Sequence, residues 1–234
     1  MGAGCCRRSR DGKQHVIDAY DVAPGRVFPL PYIAPQYIYE ALAKPPRKLS
    51  YELPEKYLFY PATFWSHKNH PNLFAAIAKL RAQYPDIQLV LAGGKHNGYP
   101  AARDAVAALG LERNVTFLGY VPDEDMFELY RRARGMVMPS FFGPTNIPQL
   151  EAFVAGCPVA VSGVYGVPEQ VGDAALLFDP KSVDEIADAA ERLWVDDALC
   201  ADLAEKGRLR AESWGPVQFS ARLRTIVETL VASK

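Results

Sequence analysis

A chain of 234 residues, 49% of them apolar and with a formal charge of −1, can bury one sizeable α/β core, or one core and a lobe. The near-zero charge and the lack of a basic run speak against nucleic acid as the main partner. No apolar run approaches the ~20 residues that span a bilayer.

The opening MGAGCCRRSR lacks an apolar h-region, so it does not read as a secretory signal. Met1-Gly2 ahead of Cys5 and Cys6 hints at lipidation, but myristoylation wants Ser or Thr where Cys6 stands. Cys5, Cys6, Cys157 and Cys200 follow no metal or disulfide spacing, which fits a reducing cytoplasm. Residues 1–50 read as a connector. DVAPGRVFPLPY and AKPPRKLS are rich in Pro and basic residues, and the strand-like piece lies around Arg26–Leu30.

From Tyr57 the pattern is regular. YLFYPA reads as a buried strand, followed by a helix with Leu73, Phe74, Ile77 and Leu80 on one stripe. IQLVLAGG is a strand ending on Gly93-Gly94, and a helix follows over about Ala101–Leu109. VTFLGY delivers Gly119, and Asp123 is placed to cap a helix whose stripe is Met126, Phe127, Tyr130 and Ala133. GMVMPS is a strand. An irregular loop, SFFGPTN, then leads to a helix opening on Asn146, with Pro148 in its first turn and Gly156 as its C′ residue. PVAVSG and AALLF are the last strands, and Ser182 with Glu185 predicts a capping box. Two further helices close the chain, the last with Phe219, Leu223, Ile226, Val227 and Leu230 on one face. Six strands (near 57–61, 87–92, 115–118, 136–138, 158–161 and 175–178) alternating with helices predict a doubly wound, parallel, Rossmann-like α/β sheet.

Such sheets bind ligands outside the carboxyl ends of their strands. Lys68-Asn69 falls there, just before a helix with Pro71 in its first turn, and reads equally as a phosphate seat or a solvated loop lysine. The loop through Asn146, with Glu151 one turn into its helix, offers backbone N–H groups for an anion and a carboxylate for hydroxyls. That combination suits a sugar nucleotide. A glutamate that merely complements the helix dipole is the alternative for Glu151, and Glu169 in VPEQVG is a weaker candidate. Neither a dinucleotide fingerprint nor a P-loop occurs. His67 and His70 lack the partners of a zinc site.

In order along the chain, YPATFWSHKNH, LVLAGG, VTFLGYVPDEDMFELYRRA, MPSFFGPTNIPQLEAFVAGCPVAVS and VPEQVGDAALLFDP resemble the C-terminal domain of a family 4 (group 1) GT-B glycosyltransferase over residues ~57–212. The resemblance implies one half of a GT-B fold that binds a nucleotide-diphosphate sugar. It implies retaining hexosyl transfer to an acceptor hydroxyl, with no cofactor and no required metal, the donor being a substrate. By the same resemblance Lys68 and Asn69 hold the donor diphosphate and Glu151 the ribose. Tyr120 and Val121 line the nucleobase pocket, and Gly143, Pro144, Thr145, Asn146 and Ile147 form the donor sugar and phosphate loop.

The chain departs from the family pattern at several positions. Gly143 stands where the first glutamate of a Glu-x7-Glu pair falls, Thr145 and Asn146 replace Phe-Gly, and Ala62-Thr63 replaces Gly-Arg. They resemble a subset in which FWxHKNH and GPTNIPxLEAF occur together. The expected organisation is a connector remnant over 1–50, the donor domain over 51–212, and a C-terminal helix over 213–234 that packs toward a missing N-terminal domain. That domain would carry a glycan or lipid-linked acceptor. The implied place is cytoplasmic, at the inner face of the membrane with peripheral association at most. A non-catalytic nucleotide-sugar-binding module, half of a split enzyme and a GT-B-fold sugar epimerase stand as alternatives.

Overall fold

Four-residue apolar runs that end on small or turn-forming residues build the centre of the molecule. The computed structural model describes residues 5–7, 9–143 and 146–232. The central strands are β3 (Leu58–Pro61), β4 (Leu89–Ala92), β5 (Val115–Gly119), β6 (Gly135–Met138), β7 (Val159–Ser162) and β8 (Ala175–Phe178). β4, β6 and β7 are buried at every position, as strands covered on both faces must be. The order is β5-β4-β3-β6-β7-β8, with every neighbouring pair parallel. This is a doubly wound Rossmann-like sheet, and all six expected strands are present. The order reverses between β3 and β6, so the crevice outside their carboxyl ends is the topological switch point.

Helices cover both faces: α3 (His70–Arg81), α4 (Tyr99–Ala108), α5 (Asp123–Arg132), α6 (Pro148–Val154), α7 (Val167–Val171), α8 (Val183–Val195) and α9 (Asp197–Ser213). The stripe expected on α3 is the one buried, with His70 and Ala76 added. α3 packs against α8, and α6 against α9. At the end of α6, Gly156 adopts φ +69°. Gly156 N donates to Phe153 O (3.2 Å) and Cys157 N to Ala152 O (2.8 Å), the paired bonds of a Schellman cap. Gly93 serves close approach instead: a Cβ there would collide with the Ala62 carbonyl on the neighbouring strand end.

Several local expectations need correction. Helix α6 begins at Pro148 with Ile147 at its N-cap, so Asn146 lies outside it. Proline at the first helical position lacks an N–H that the helix leaves unpaired in any case, and so starts the helix there. Pro122 is the N-cap of α5, and Asp123 is its first helical residue rather than a cap. Ser182 Oγ accepts from Glu185 N (3.1 Å), but the Glu185 carboxylate accepts from Asp179 N (2.7 Å), so the box is only half closed.

Residues 1–50 hold more regular structure than their composition suggested. β1 (Cys5–Arg7) and β2 (Val27–Pro29) pair in parallel across α1 (Arg10–Tyr20), and α2 (Gln36–Leu42) packs on α5 and α6. Ser9 caps α1 by accepting from Gly12 N (2.9 Å). At the other end, α10 (Pro216–Ala232) buries Ile226 alone, while Val217, Leu223, Val227 and Val231 are exposed.

Candidate functional site at the switch point

Two loops meet where the strand order reverses. From β3 the chain runs through a 3-10 turn, Ser66–Lys68, into Asn69. From β6 it passes Pro139 and Ser140 toward Asn146. Phe141 N donates to His67 O (2.9 Å), joining the loops by their backbones. The buried Tyr60 hydroxyl bridges them from below, donating to Lys68 O (2.8 Å) and bonding Ser140 Oγ (2.9 Å). The two loop ends are therefore held together by the backbone bond and by the Tyr60 hydroxyl beneath them.

Lys68, whose carbonyl takes the Tyr60 bond, is half-buried. Burial alone lowers its ammonium pKa, and no carboxylate pairs with it among the described residues. A partly desolvated cation without a counter-charge is poised for an anion. Asn69 has a different place from the one its neighbour suggests. It takes the left-handed conformation at φ 58°. Its amide donates to Pro139 O (2.9 Å) and Pro180 O (2.7 Å), stapling the ends of β3, β6 and β8 together. His70, next along, is buried with its ring stacked on Phe64 at 4.4 Å. Burial first, and the Lys68 charge second, push its pKa down to about 4, so it is neutral at pH 7.

Glu151 lies in the first turn of α6, 6% exposed, with a tyrosine hydroxyl on each oxygen. Tyr37 of α2 donates to Oε1 and Tyr130 of α5 to Oε2, both at 2.5 Å. Burial raises the Glu151 pKa, and the two tyrosine bonds oppose it. Val121 is buried and Tyr120 exposed at the end of β5. Asp123, two residues on, is close enough to bear electrostatically on both Tyr37 and Glu151. The proposed base-pocket loop and the proposed ribose carboxylate therefore share one neighbourhood.

In the loop after β6, a Cβ on Gly143 would collide with the Asn146 side chain. At the position where the family's first glutamate falls, a side chain would have to displace the Asn146 amide, which is 3% exposed and fills the space. Asn146 O accepts from Gln170 Nε2 (3.1 Å), tying the loop to α7, and Ile147 is half-buried. Pro144 and Thr145 lie outside the described residues. Beside Gly143 opens a cavity of about 660 Å³ between the 31–39 segment, α6, α7 and α9, with Tyr165, Glu169, Arg210 and Trp214 in its wall. Glu169 is thereby a cavity-wall residue. Sequence reasoning missed Tyr37 entirely and read Tyr130 as core. The hydroxyl that each carries into the core is the signal that pointed toward a buried acceptor.

Residues 44–210 match the family of glycosyl transferases group 1. This chain belongs to that family. It is 37% identical over 169 residues to O-antigen chain mannosyltransferase B of Escherichia coli, covering 68% of this chain and 42% of that protein. Sucrose-phosphate synthase from Thermosynechococcus elongatus superposes with a TM-score of 0.77 at 23% identity, over 98% of this chain and 58% of that one. Anabaena HepE, in complex with UDP and glucose, does so with a TM-score of 0.77 at 18% identity, over 99% and 64%. The group 1 chain described here spans roughly half the length of these relatives. The family match covers all six central strands and both loops of the switch point.

Proposed function

We propose that the chain is the donor-binding half of a family 4-type, retaining glycosyltransferase that moves a hexosyl group from a nucleotide-diphosphate sugar to an acceptor hydroxyl without a metal ion. The observation that carries this reading is Lys68: a partly desolvated cation, unpaired among the described residues, at the switch-point crevice of a group 1 domain. In this reading Lys68 neutralises the diphosphate and Asn69 holds its loop in shape. Glu151 takes the ribose, Val121 and Tyr120 flank the base, and Gly143 to Ile147 border the donor sugar. The solved relative with UDP and glucose bound supports a nucleotide sugar as the ligand class. The mannosyltransferase relative supports glycan assembly as the setting.

The acceptor side belongs to a second domain. The β1-α1-β2 unit supports this, because a two-stranded parallel sheet with one crossover helix has too little buried area to stand alone and suits the edge of a larger sheet. The acceptor is a glycan or lipid-linked glycan reached from the cytoplasmic side. Among the described residues no helix is long and apolar enough to cross a membrane, and contact with one is peripheral in this reading.

The test is calorimetric titration of the wild type and Lys68→Ala with a nucleoside diphosphate and the matching nucleoside. A hydrogen bond to a charged group contributes on the order of 1.5–3 kcal/mol, so the variant should lose about that much for the diphosphate and little for the nucleoside. Equal losses for both would make Lys68 a loop-supporting residue and remove the main support for the reading. Addition of EDTA should leave the wild-type affinities unchanged.

A further inference from the structure

Each oxygen of the Glu151 carboxylate already holds a strong donor, and the two donors differ in how they are held. Tyr130 is fully buried on α5, with its ring edge-on to Phe59 at 5.1 Å. Tyr37 is half-buried on α2, a seven-residue helix in which Ile38 is the buried residue. The Tyr130 side of the carboxylate therefore faces the core, and the Tyr37 side lies nearer solvent. A carboxylate oxygen bonded at 2.5 Å by a hydroxyl is in the short, charge-assisted range. A carboxylate oxygen can accept a second bond, but a hydroxyl arriving from the same side must share Oε1 with the tyrosine already seated there.

We propose that the Tyr37 hydroxyl occupies the place of a ribose hydroxyl on Glu151 Oε1, so that the nucleotide must displace it to bind. This deepens the ribose reading of Glu151 given above and rests on it. Tyr37 is then an affinity-setting residue: its bond stabilises the empty site and opposes the filled one. Tyr130, fixed in the core, is the positioning residue that keeps the carboxylate in the same orientation in both states. Because α2 belongs to the 1–50 segment while Glu151 belongs to the donor domain, the exchange also couples ribose binding to how firmly α2 packs on α5 and α6. The device discriminates by ligand: a nucleotide that lacks the 2′ and 3′ hydroxyls has nothing to exchange for the tyrosine.

The experiment is calorimetry with UDP, GDP and their 2′,3′-dideoxy counterparts on the wild type, Tyr37→Phe, Tyr37→Leu and Glu151→Gln. Tyr37→Phe keeps the ring and removes only the competing hydroxyl. Should it not fold, Tyr37→Leu gives the same readout. Expected are about tenfold tighter binding of the ribonucleotide by the Tyr37 variants, unchanged affinity for the dideoxy form, and loss of ribose preference in Glu151→Gln. Weaker or unchanged ribonucleotide binding in the Tyr37 variants, with ribose preference still lost in Glu151→Gln, overturns the competition and leaves the ribose reading in place. No ribose preference in the wild type and no effect of Glu151→Gln removes both.

Discussion

At the scale of single residues, burial decides which charges the site can carry. His70 loses its proton affinity to the rings around it: Phe64 stacks on it, Tyr60 lies at 5.1 Å and Phe74 at 6.2 Å. Its Nε2 has no partner among the described residues. The folded chain therefore holds neutral His70 with a pKa of about 4 against 6.5 unfolded. For a base whose pKa is depressed on folding, the contribution to stability is complete above about pH 6.5 and is lost as pH falls through the folded value, because the unfolded chain binds the proton first. By pH 5 the loss should reach about 2 kcal/mol. Glu151 acts in the opposite sense, since its raised pKa favours the fold at low pH and that advantage fades as pH rises through the folded value. Urea unfolding at pH 7 and pH 5, for the wild type and His70→Phe, separates the two. The phenylalanine variant should lose clearly less stability on acidification, and identical losses would mean that His70 does not set the acid limb.

At the scale of elements, loops are held by residues that local sequence cannot assign. Asn69 bonds two carbonyls 70 and 111 positions away, and its left-handed backbone starts α3. Asn69→Ala removes the side-chain donor to Pro139 O, leaves Pro180 O with the Asn72 amide alone (3.0 Å), and puts a Cβ-bearing residue without the asparagine's polar compensation at φ 58°. Chemical denaturation should record a loss of about 3 kcal/mol, and a change below about 1 kcal/mol would show that the staple is not what fixes the loops. Here the limits of the sequence are physical. The six strands were legible because buried parallel strands are unbroken apolar runs closed by turn residues. The stripe of α3 was legible from 3.6-residue spacing. Asn69 stood beside a lysine in a ligand-facing loop and read as a second ligand contact, because nothing local marks Pro139 and Pro180 as its partners. α2 was invisible for a related reason: QYIYEAL buries only Ile38, follows a proline, and is held by docking on α5 and α6 rather than by its own pattern. The Tyr37–Glu151 bond spans 114 positions and inherits that invisibility.

At the scale of the whole molecule, an exposed apolar strip and an unsupported sheet face the same question of what completes the fold. α10 leaves Val217, Leu223, Val227 and Val231 in solvent, and β1 pairs only with β2 among the described strands. A donor domain on its own can supply Lys68 and Glu151, the residues proposed to bind the nucleotide, but in that reading it does not hold an acceptor hydroxyl against the anomeric carbon. That near-attack geometry is worth roughly 7–11 kcal/mol of barrier, equivalent to a rate factor of about 10⁵–10⁸. The purified chain should therefore bind a sugar nucleotide and show no transfer above background. Transfer should appear when an acceptor domain from a group 1 relative is joined ahead of β1, and covering the apolar strip should at the same time reduce self-association seen by light scattering. Sustained turnover by the lone chain would mean that the acceptor site lies within these 234 residues, with the 660 Å³ cavity beside Gly143 as the first place to look for it. Failure to bind any sugar nucleotide would remove the donor-domain reading altogether, because Lys68, unpaired by any described carboxylate, would then have no anion to justify its desolvation.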